Sequence, residues 1–459
     1  MQLKLSTPKA DGETRRAFIK KAATAAAVVA TTNIFKTPVY GQNQAPSPGR
    51  VIGANDRIIV GFVGVGPQGT LHVNKMKENA DKNNVTLAAV CDLWEKRREA
   101  AKAVIGSSDV KLYDDHHKLL EQKDIDAVIC ATVDHWHAQV SIDTMEAGKH
   151  IYVEKPMCRY LPEAWHVYDT VKKTGKVFQV GSQGCSDAKW LKAAELTKAG
   201  KLGPLILGQG SYMRNGNKGE WNYAIDSDLK PGSIDWKRWL GPNIKTRVDF
   251  NNDHFFRWRK YYPYCAGLLG DLFPHRLHPL MKATGEPEFP VRVCAIGTSN
   301  VGEDKYTPGT QKRDVPECMT VIAEFPSGLT LMVISSSVNE KGLPDIIRGH
   351  KATMEIGGNR VDVKPERPFT EELDPETYEN LVPVEDVGVH ESNWVDCIRA
   401  NKLPNANIEL AIRVQTVISL GEMSDRMGIA CHYDEKTRSI YGGGDSKLEP
   451  VNYGVLKPS

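Results

Sequence analysis

From residue 58 onward the chain alternates short β-branched apolar runs with amphipathic stretches. Ile58-Ile59-Val60-Gly61-Phe62-Val63 is apolar throughout and bounded by turn residues, the pattern of a strand buried on both faces. Residues 70–78 then repeat with helical spacing. The same alternation continues with strands predicted over 85–91, 110–113, 127–131, 150–153 and 177–180. Helices are predicted around Leu119 and over 137–147 and 162–173. Six strands interleaved with helices over residues 58–180 predict a doubly wound parallel sheet.

Beyond Gly181 the period changes. Residues 205–213, 292–297, 319–325, 329–335 and 352–356 alternate apolar and polar positions with few helices between them. That pattern predicts a second, α+β domain over 181–440 with a large, mostly antiparallel, open sheet. Residues 389–400 and 410–427 have helical spacing, and 441–459 read as a tail. The fold class is therefore α/β, a Rossmann domain followed by an α+β domain.

The N-terminus is of another kind. Thr14-Arg15-Arg16-Ala17-Phe18-Ile19-Lys20 is a twin-arginine block, and Ala22 to Ala30 is a short, mild apolar run. Such a run is too short for a membrane helix and suits the core of a signal peptide. Residues 1–41 are expected to be a twin-arginine export signal with cleavage after Gly41, and 42–57 a flexible linker. The expected location is the periplasm, with no stable membrane insertion after cleavage. Twin-arginine export moves proteins already folded, often around a cofactor.

Composition narrows the field further. Lysine plus arginine number 59 against 57 acidic residues, a net charge of +2, which gives no electrostatic footprint for nucleic acid. The nine cysteines are scattered with no CxxC pair, so neither a disulfide framework nor a zinc site is indicated, and most are expected to be buried thiols.

The chemistry begins where the first strand ends. Gly64-Val65-Gly66-Pro67-Gln68-Gly69 is a GxGxxG loop between a strand and a helix. Gly64 allows the tight turn, Gly66 lets backbone approach a pyrophosphate, and Gly69 permits close helix–strand packing. The helix N-terminus then faces the phosphates. Asp92 ends the second strand 23 residues after Gly69, where a carboxylate accepts hydrogen bonds from ribose hydroxyls and disfavours a 2′-phosphate. NAD is the expected cofactor, with NADP possible because Arg97 and Arg98 lie close by. Ligands of such sheets sit beyond the carboxyl ends of the strands, which singles out 132–137 and 154–156.

The loop, Ala131-Thr132, His137, and Glu154-Lys155-Pro156 after a strand resemble the Gfo/Idh/MocA oxidoreductases. The segment Ala266-Gly267-Leu268-Leu269-Gly270-Asp271-Leu272-Phe273-Pro274-His275 is similar to that family's Gly-rich run into Asp-x-x-x-His. The resemblance implies a catalytic trio of Lys155, Asp271 and His275, with Glu154 and Pro156 shaping the nicotinamide pocket. It also implies dimer contacts on the second sheet, hence a homo-oligomer. Three departures stand out: Val133 replaces the usual Pro, Phe273 replaces the usual Gly, which would narrow the substrate side, and Asp134-His135-Trp136-His137 puts an aromatic and two imidazoles at a strand end near the nicotinamide.

The residues carry a chemical sense of their own. Oxidising a secondary alcohol needs a base for the hydroxyl proton and a cation for the developing alkoxide. Lys155 would supply the cation, with its pKa expected to fall by desolvation beside a positive nicotinamide. His275 is the candidate base, titrating near the working pH, and Asp271 lies one helical turn before it on a shared face. His135 and His137 join Thr132 and Glu154 as candidate cofactor contacts. Trp136, Tyr212, Arg214, Arg259 and His278 are candidate substrate contacts. No metal is expected.

Aromatic residues crowd 212–262, interleaved with Arg214, Asn215, Asn217, Asn222, Arg257 and Arg259. Sugar rings pack C–H faces on aromatics and need amide or guanidinium partners for their hydroxyls, so a pyranoside or cyclitol is the expected substrate. Three functions compete: an exported oxidoreductase with tightly held NAD, a redox-neutral glycosidase that oxidises, eliminates and reduces, and a carbohydrate-binding protein without turnover. The presence of both Lys155 and His275 speaks against the last.

Overall fold

The computed structural model describes residues 57–242, 244, 248–443 and 446–451, and the expected N-terminal export signal falls outside them. The first region runs β1 (Ile58–Val63), α1 (Pro67–Glu78), β2 (Val85–Cys91), α2 (Glu95–Ile105), β3 (Lys111–Tyr113) and α3 (His116–Leu120). It continues through β4 (Ala127–Cys130), α4 (Asp134–Glu146), β5 (His150–Glu154), α5 (Leu161–Thr174) and β6 (Phe178–Gly181). The six strands are parallel in the order β3-β2-β1-β4-β5-β6. The chain leaves β1 in one direction and returns to β4 on its other side. That reversal opens a crevice at the carboxyl ends of β1 and β4. Every residue of β1, β4 and β6 is buried, because helices cover both faces.

The second region contains α6 (Ala188–Lys198), β7 (Leu205–Met213), α7 (Trp236–Leu240), α8 (Asn252–Phe256), α9 (Leu268–Asp271) and α10 (Phe273–Ala283). Strands β8 (Arg292–Thr298), β9 (Cys318–Glu324), β10 (Thr330–Ser336), β11 (Asp345–Gly349), β12 (Ala352–Gly357), β13 (Arg360–Pro365) and β14 (Glu376–Tyr378) follow. The chain then passes through α11 (Val387–Ala400), α12 (Ile408–Met427), β15 (Cys431–Asp434), β16 (Ser439–Tyr441) and β17 (Lys447–Leu448). These strands form an eleven-stranded sheet, β14-β13-β12-β11-β7-β10-β9-β8-β15-β16-β17, antiparallel except between β7 and β10. Burial alternates residue by residue in β8, β9, β10 and β12, so one face meets helices and the other does not.

Two segments depart from the sequence reading. Helix α11, expected to belong to the second domain, returns to the first and packs on α1, β5 and β6, with Trp394 and Val395 in the core beside Val60 and Tyr152. The segment read as a tail contributes β17, paired with β16. Helix α12 is buried along most of its length between α5 and β8, so one apolar core runs through both sheets. All nine cysteines are free thiols, seven of them buried; Cys294 is exposed and Cys318 half-buried.

Candidate active site

The crevice at the end of β1 opens into a cavity of about 900 Å³. Gly64 turns the chain there with φ +82, and a Cβ on it would lie 2.7 Å from the Thr132 nitrogen. Gly69 sits behind the loop rather than in the cavity. A Cβ at Gly69 would come within 2.0 Å of the Gly64 oxygen, so only glycine lets α1 start this close to β1. Gly66 is the N-cap of α1, Pro67 occupies its first turn, and no side chain caps it. An uncapped helix N-terminus, aimed at a cavity and followed by no acidic residue in its first turn, suits a pyrophosphate.

Asp92 lies at the adjoining end of β2 and lines the same cavity. Its Oδ2 accepts from the Val65 N–H at 3.0 Å and its Oδ1 from the Trp94 N–H at 2.9 Å. Those bonds fix the carboxylate and leave lone pairs for ribose hydroxyls. Arg97 stands over the loop, its Nη1 3.4 Å from where a Gly66 Cβ would be, with its guanidinium 4.8 Å from the Phe255 ring centre. Arg98 instead donates to the backbone carbonyl of Asp92 at 2.7 Å. The donor set and the shape of this loop fit a nicotinamide dinucleotide.

Across the crevice, Lys155 follows β5 and reaches the second region. Its Nζ donates to Asp271 Oδ1 at 2.6 Å and to the Asp271 carbonyl at 3.1 Å. Burial works to lower the Lys155 pKa, but the Asp271 carboxylate outweighs it and the net shift is upward. The expected fall is therefore corrected for the protein alone: Lys155 is a firm cation.

Asp271 is saturated. Its Oδ2 accepts from Trp221 Nε1 at 2.7 Å, its Oδ1 also from Arg259 Nε at 3.2 Å, and Arg214 Nη1 is 3.9 Å from Oδ2. Burial opposes its charge, yet Lys155, Arg259 and Arg214 hold its pKa well below the carboxylate range. Asp271 ends α9 and His275 lies in α10, with Leu272 between the two helices. Both side chains line the cavity, where Asp271 anchors cations and His275 presents its ring. His275 stacks on Tyr212, ring centres 4.5 Å apart. Burial, reinforced by Lys155, pushes its pKa down to about 3 instead of leaving it near neutrality. It is a neutral imidazole throughout the working range.

Glu154 completes β5. Its Oε1 accepts from Gln68 Nε2 and meets His72 Nε2, both at 2.9 Å, and its Oε2 accepts from the Lys155 N–H at 3.0 Å. The other ring nitrogen of His72 lies 2.7 Å from Glu391 of α11. Burial alone would lower the His72 pKa, but the two carboxylates raise it to about 10. Burial likewise opposes the Glu154 charge, and His72 overrides it, bringing the carboxyl to about 2. A buried imidazolium therefore ties the phosphate-loop helix, the strand bearing Lys155 and the C-terminal α11.

Thr132 and His137 line the cavity, and His137 Nδ1 is 2.7 Å from the Pro156 carbonyl, bracing the turn after Lys155. Trp136 also lines it, with its N–H donated to the Trp239 carbonyl at 2.9 Å. Tyr212, Arg214 and Arg259 form the opposite wall. Three expectations fail. His135 is buried against Trp239 and Tyr264, its Nε2 3.0 Å from the Trp239 carbonyl, and does not reach the cavity. His278 is buried with its Nδ1 3.0 Å from Ser182 Oγ, behind the site. Phe273 is fully buried in the core, so it does not narrow the substrate side.

Four contributors were given no role by the sequence reading, although Asp134 and Trp221 lie in segments that it singled out. His72 lies three residues after Gly69 on the inner face of α1, a spacing that could have flagged it. Glu391 is too distant in sequence to be connected. Trp221 is buried at φ +63, unusual for a bulky residue, and is held there as the donor to Asp271. Asp134, at the start of α4, lines the cavity with an Oδ2 that has no partner among the described residues, and burial raises its pKa to about 7.

Comparison with known proteins agrees with this geometry. The family model described as "Oxidoreductase family, NAD-binding Rossmann fold" matches residues 58–182. A glycosyl hydrolase family 109 protein of Shewanella baltica is 32% identical over 217 residues, covering 43% of this chain and 46% of the relative. An alpha-N-acetylgalactosaminidase of Shewanella oneidensis is 30% identical over the same length and coverage. The chain thus spans about half the length of the curated relatives it matches. Among solved structures, levoglucosan dehydrogenase in complex with NADH and levoglucosan superposes with a TM-score of 0.63 at 17% identity, covering 82% of this chain and 98% of the other. Aldose-aldose oxidoreductase from Caulobacter crescentus gives 0.62 at 18%, covering 82% and 99%. Residues 58–182 therefore match the NAD-binding Rossmann domain of the Gfo/Idh/MocA oxidoreductase family.

Proposed function

We propose that this protein transfers a hydride between a resident NAD and a secondary hydroxyl of a sugar, glycoside or cyclitol. The observation that carries the reading is the convergence of Lys155, Asp271 and His275 on the cavity that also holds the Gly64–Gly69 loop. NAD, when bound, supplies the hydride acceptor and donor. Gly66 and the start of α1 hold its phosphates, Asp92 its ribose, and Thr132 with the Glu154 region its nicotinamide end.

His275 is neutral, so it can take the hydroxyl proton at a ring nitrogen without first losing one. Lys155, kept charged by Asp271, stabilises the alkoxide that develops as the proton leaves. Asp271 positions Lys155 and Arg259 and does not itself reach the substrate as a free group. Tyr212, Trp136 and Arg214 offer ring faces and donors to the sugar.

A second reading is a redox-neutral glycosidase, in which the oxidised sugar loses its aglycone and is reduced again. Its support is the likeness to glycosyl hydrolase family 109 proteins and to an alpha-N-acetylgalactosaminidase. Aryl glycosides supplied with NAD separate the two. Stoichiometric NADH supports the dehydrogenase and sinks the glycosidase, and aglycone release without net NADH does the reverse.

The twin-arginine block supports export with the cofactor already bound. The helix-free face of the large sheet exposes Ile296 and Ile322 and supports a homo-oligomer built on that face.

A further inference from the structure

The substrate wall carries more donors than its own acids occupy. Arg259 gives one hydrogen bond, from Nε to Asp271, and among the described residues its Nη1 and Nη2 have no partner. Its guanidinium is fixed over the Trp258 ring, 4.1 Å from the centre. Arg214 gives Nη1 to Glu220 at 2.7 Å, and its Nε and Nη2 have no partner among the described residues. The Arg214 guanidinium lies 5.6 Å from the centre of Tyr212, the ring that stacks on His275. Both arginines therefore flank Asp271 and turn unused N–H edges toward the cavity in which His275 lies.

Charge points the same way. Lys155, Arg214 and Arg259 are three cations in contact with two carboxylates, Asp271 and Glu220. Asp226, which also lines the cavity, is spent on Lys96 at 2.7 Å. Of the other acids lining the cavity, Asp92 is bonded to backbone N–H groups, Glu154 to Gln68 and His72, Asp114 lies 3.7 Å from Lys118, and burial favours the neutral form of Asp134. An oxidised nicotinamide would add one more positive charge. The side chains of Arg214 and Arg259 are 37% and 21% exposed, so water meets their donors only in part.

We propose that the substrate bears an oxyanion substituent, a carboxylate or a sulfate ester, seated between Arg214 and Arg259. Such a group satisfies several guanidinium N–H donors at once, which the scattered hydroxyls of a neutral sugar do not. The inference rests on the reading of this cavity as a sugar site and names the class of sugar it takes. An anion held by both arginines also fixes the orientation of the ring relative to His275.

The test uses the full-length protein loaded with NAD. Methyl glycosides of glucuronic and galacturonic acid, the 6-sulfates of methyl glucoside and methyl galactoside, and the neutral parents are titrated by calorimetry. One acidic class is expected to bind roughly tenfold or more tightly than its neutral parent, and Arg214→Gln or Arg259→Gln to abolish that preference. Uronates ahead of sulfates assign a carboxylate, and the reverse order assigns a sulfate ester. Neutral parents binding as well, no acidic glycoside binding detectably, or a preference intact in both variants would overturn the proposal. Turnover is read separately, as NADH absorbance and as aglycone release from the corresponding aryl glycosides. Turnover that favours neutral sugars defeats only the anion, whereas tight acidic binding with neither product defeats the proposed reaction and leaves the anion site standing.

Discussion

Lys155 is the residue whose surroundings decide what this site can do. It is buried, yet Asp271 at 2.6 Å keeps it charged, so its part is to hold negative charge rather than to accept a proton. Replacing it with Met removes that charge from a partly water-excluded cavity. Hydride transfer should fall by about 10²–10³-fold or more, the scale for loss of one preorganised electrostatic donor. Dinucleotide affinity, measured by cofactor fluorescence, should stay within a few-fold, since the phosphate and ribose contacts lie elsewhere. Asp134 makes a second prediction at this scale. His275 is neutral at every working pH, so an inflection in kcat/KM near pH 7 should belong to Asp134. In Asp134→Asn a pH–rate profile should lose that inflection; if it persists, another group titrates there.

At the scale of elements, the active site is a joint between β1 with α1, β5, and the α9–α10 corner. The glycine at the start of α1 sets its distance from β1. Gly69→Ala would force backbone apart from a 2.0 Å clash, and NAD affinity should drop by at least tenfold while the far sheet stays intact by amide exchange. The His72 link between Glu154 and Glu391 ties α1, β5 and α11 together. His72→Leu leaves two buried carboxylates facing each other, and chemical denaturation should show about 3–5 kcal/mol of lost stability.

Local signals made the Rossmann half legible. β-branched runs, glycines at fixed spacing and an acid at the end of β2 each have a cause within a few residues of sequence. That Lys155, Asp271 and His275 meet at one cavity was expected from their chemistry and the family resemblance, since Lys155 ends a strand and Asp271 and His275 share one short segment. What stayed hidden depends on distant packing. Strands β11 and β13 to β17 are short or carry charges on their open face, so their periodicity is weak. The return of α11 to the first sheet, and hence Glu391, has no local mark. The charge states were misread because Asp271, placed by tertiary contact, reverses the effect of burial on Lys155, while burial without an acid partner depresses His275.

For the whole molecule, ionisation sets a stability window. Burial is the leading cause that lowers the pKa of His135 and His275 to about 3, and of His137, His150, His278 and His390 to about 4. An unfolded histidine titrates near 6.5, so below that value the unfolded chain binds protons that these sites refuse. Stability should therefore fall as pH drops from about 6.5 toward 4. His72 acts in the opposite sense: its contribution is full below about 6.5 and is lost as pH rises through about 10. Thermal denaturation across pH should show a maximum near pH 6.5, and His72→Leu should flatten the alkaline arm.

The same scale holds the central claim, that one chain keeps NAD in place while it oxidises or remodels a sugar. The direct measurement is gel filtration of the purified protein without added nucleotide, followed by near-ultraviolet absorbance as glycosides are added. NAD(H) should elute with the protein, and its absorbance should change on sugar addition, lastingly for a dehydrogenase and transiently for a glycosidase. Protein that elutes free of nucleotide and turns over only with NAD supplied in solution would contradict it.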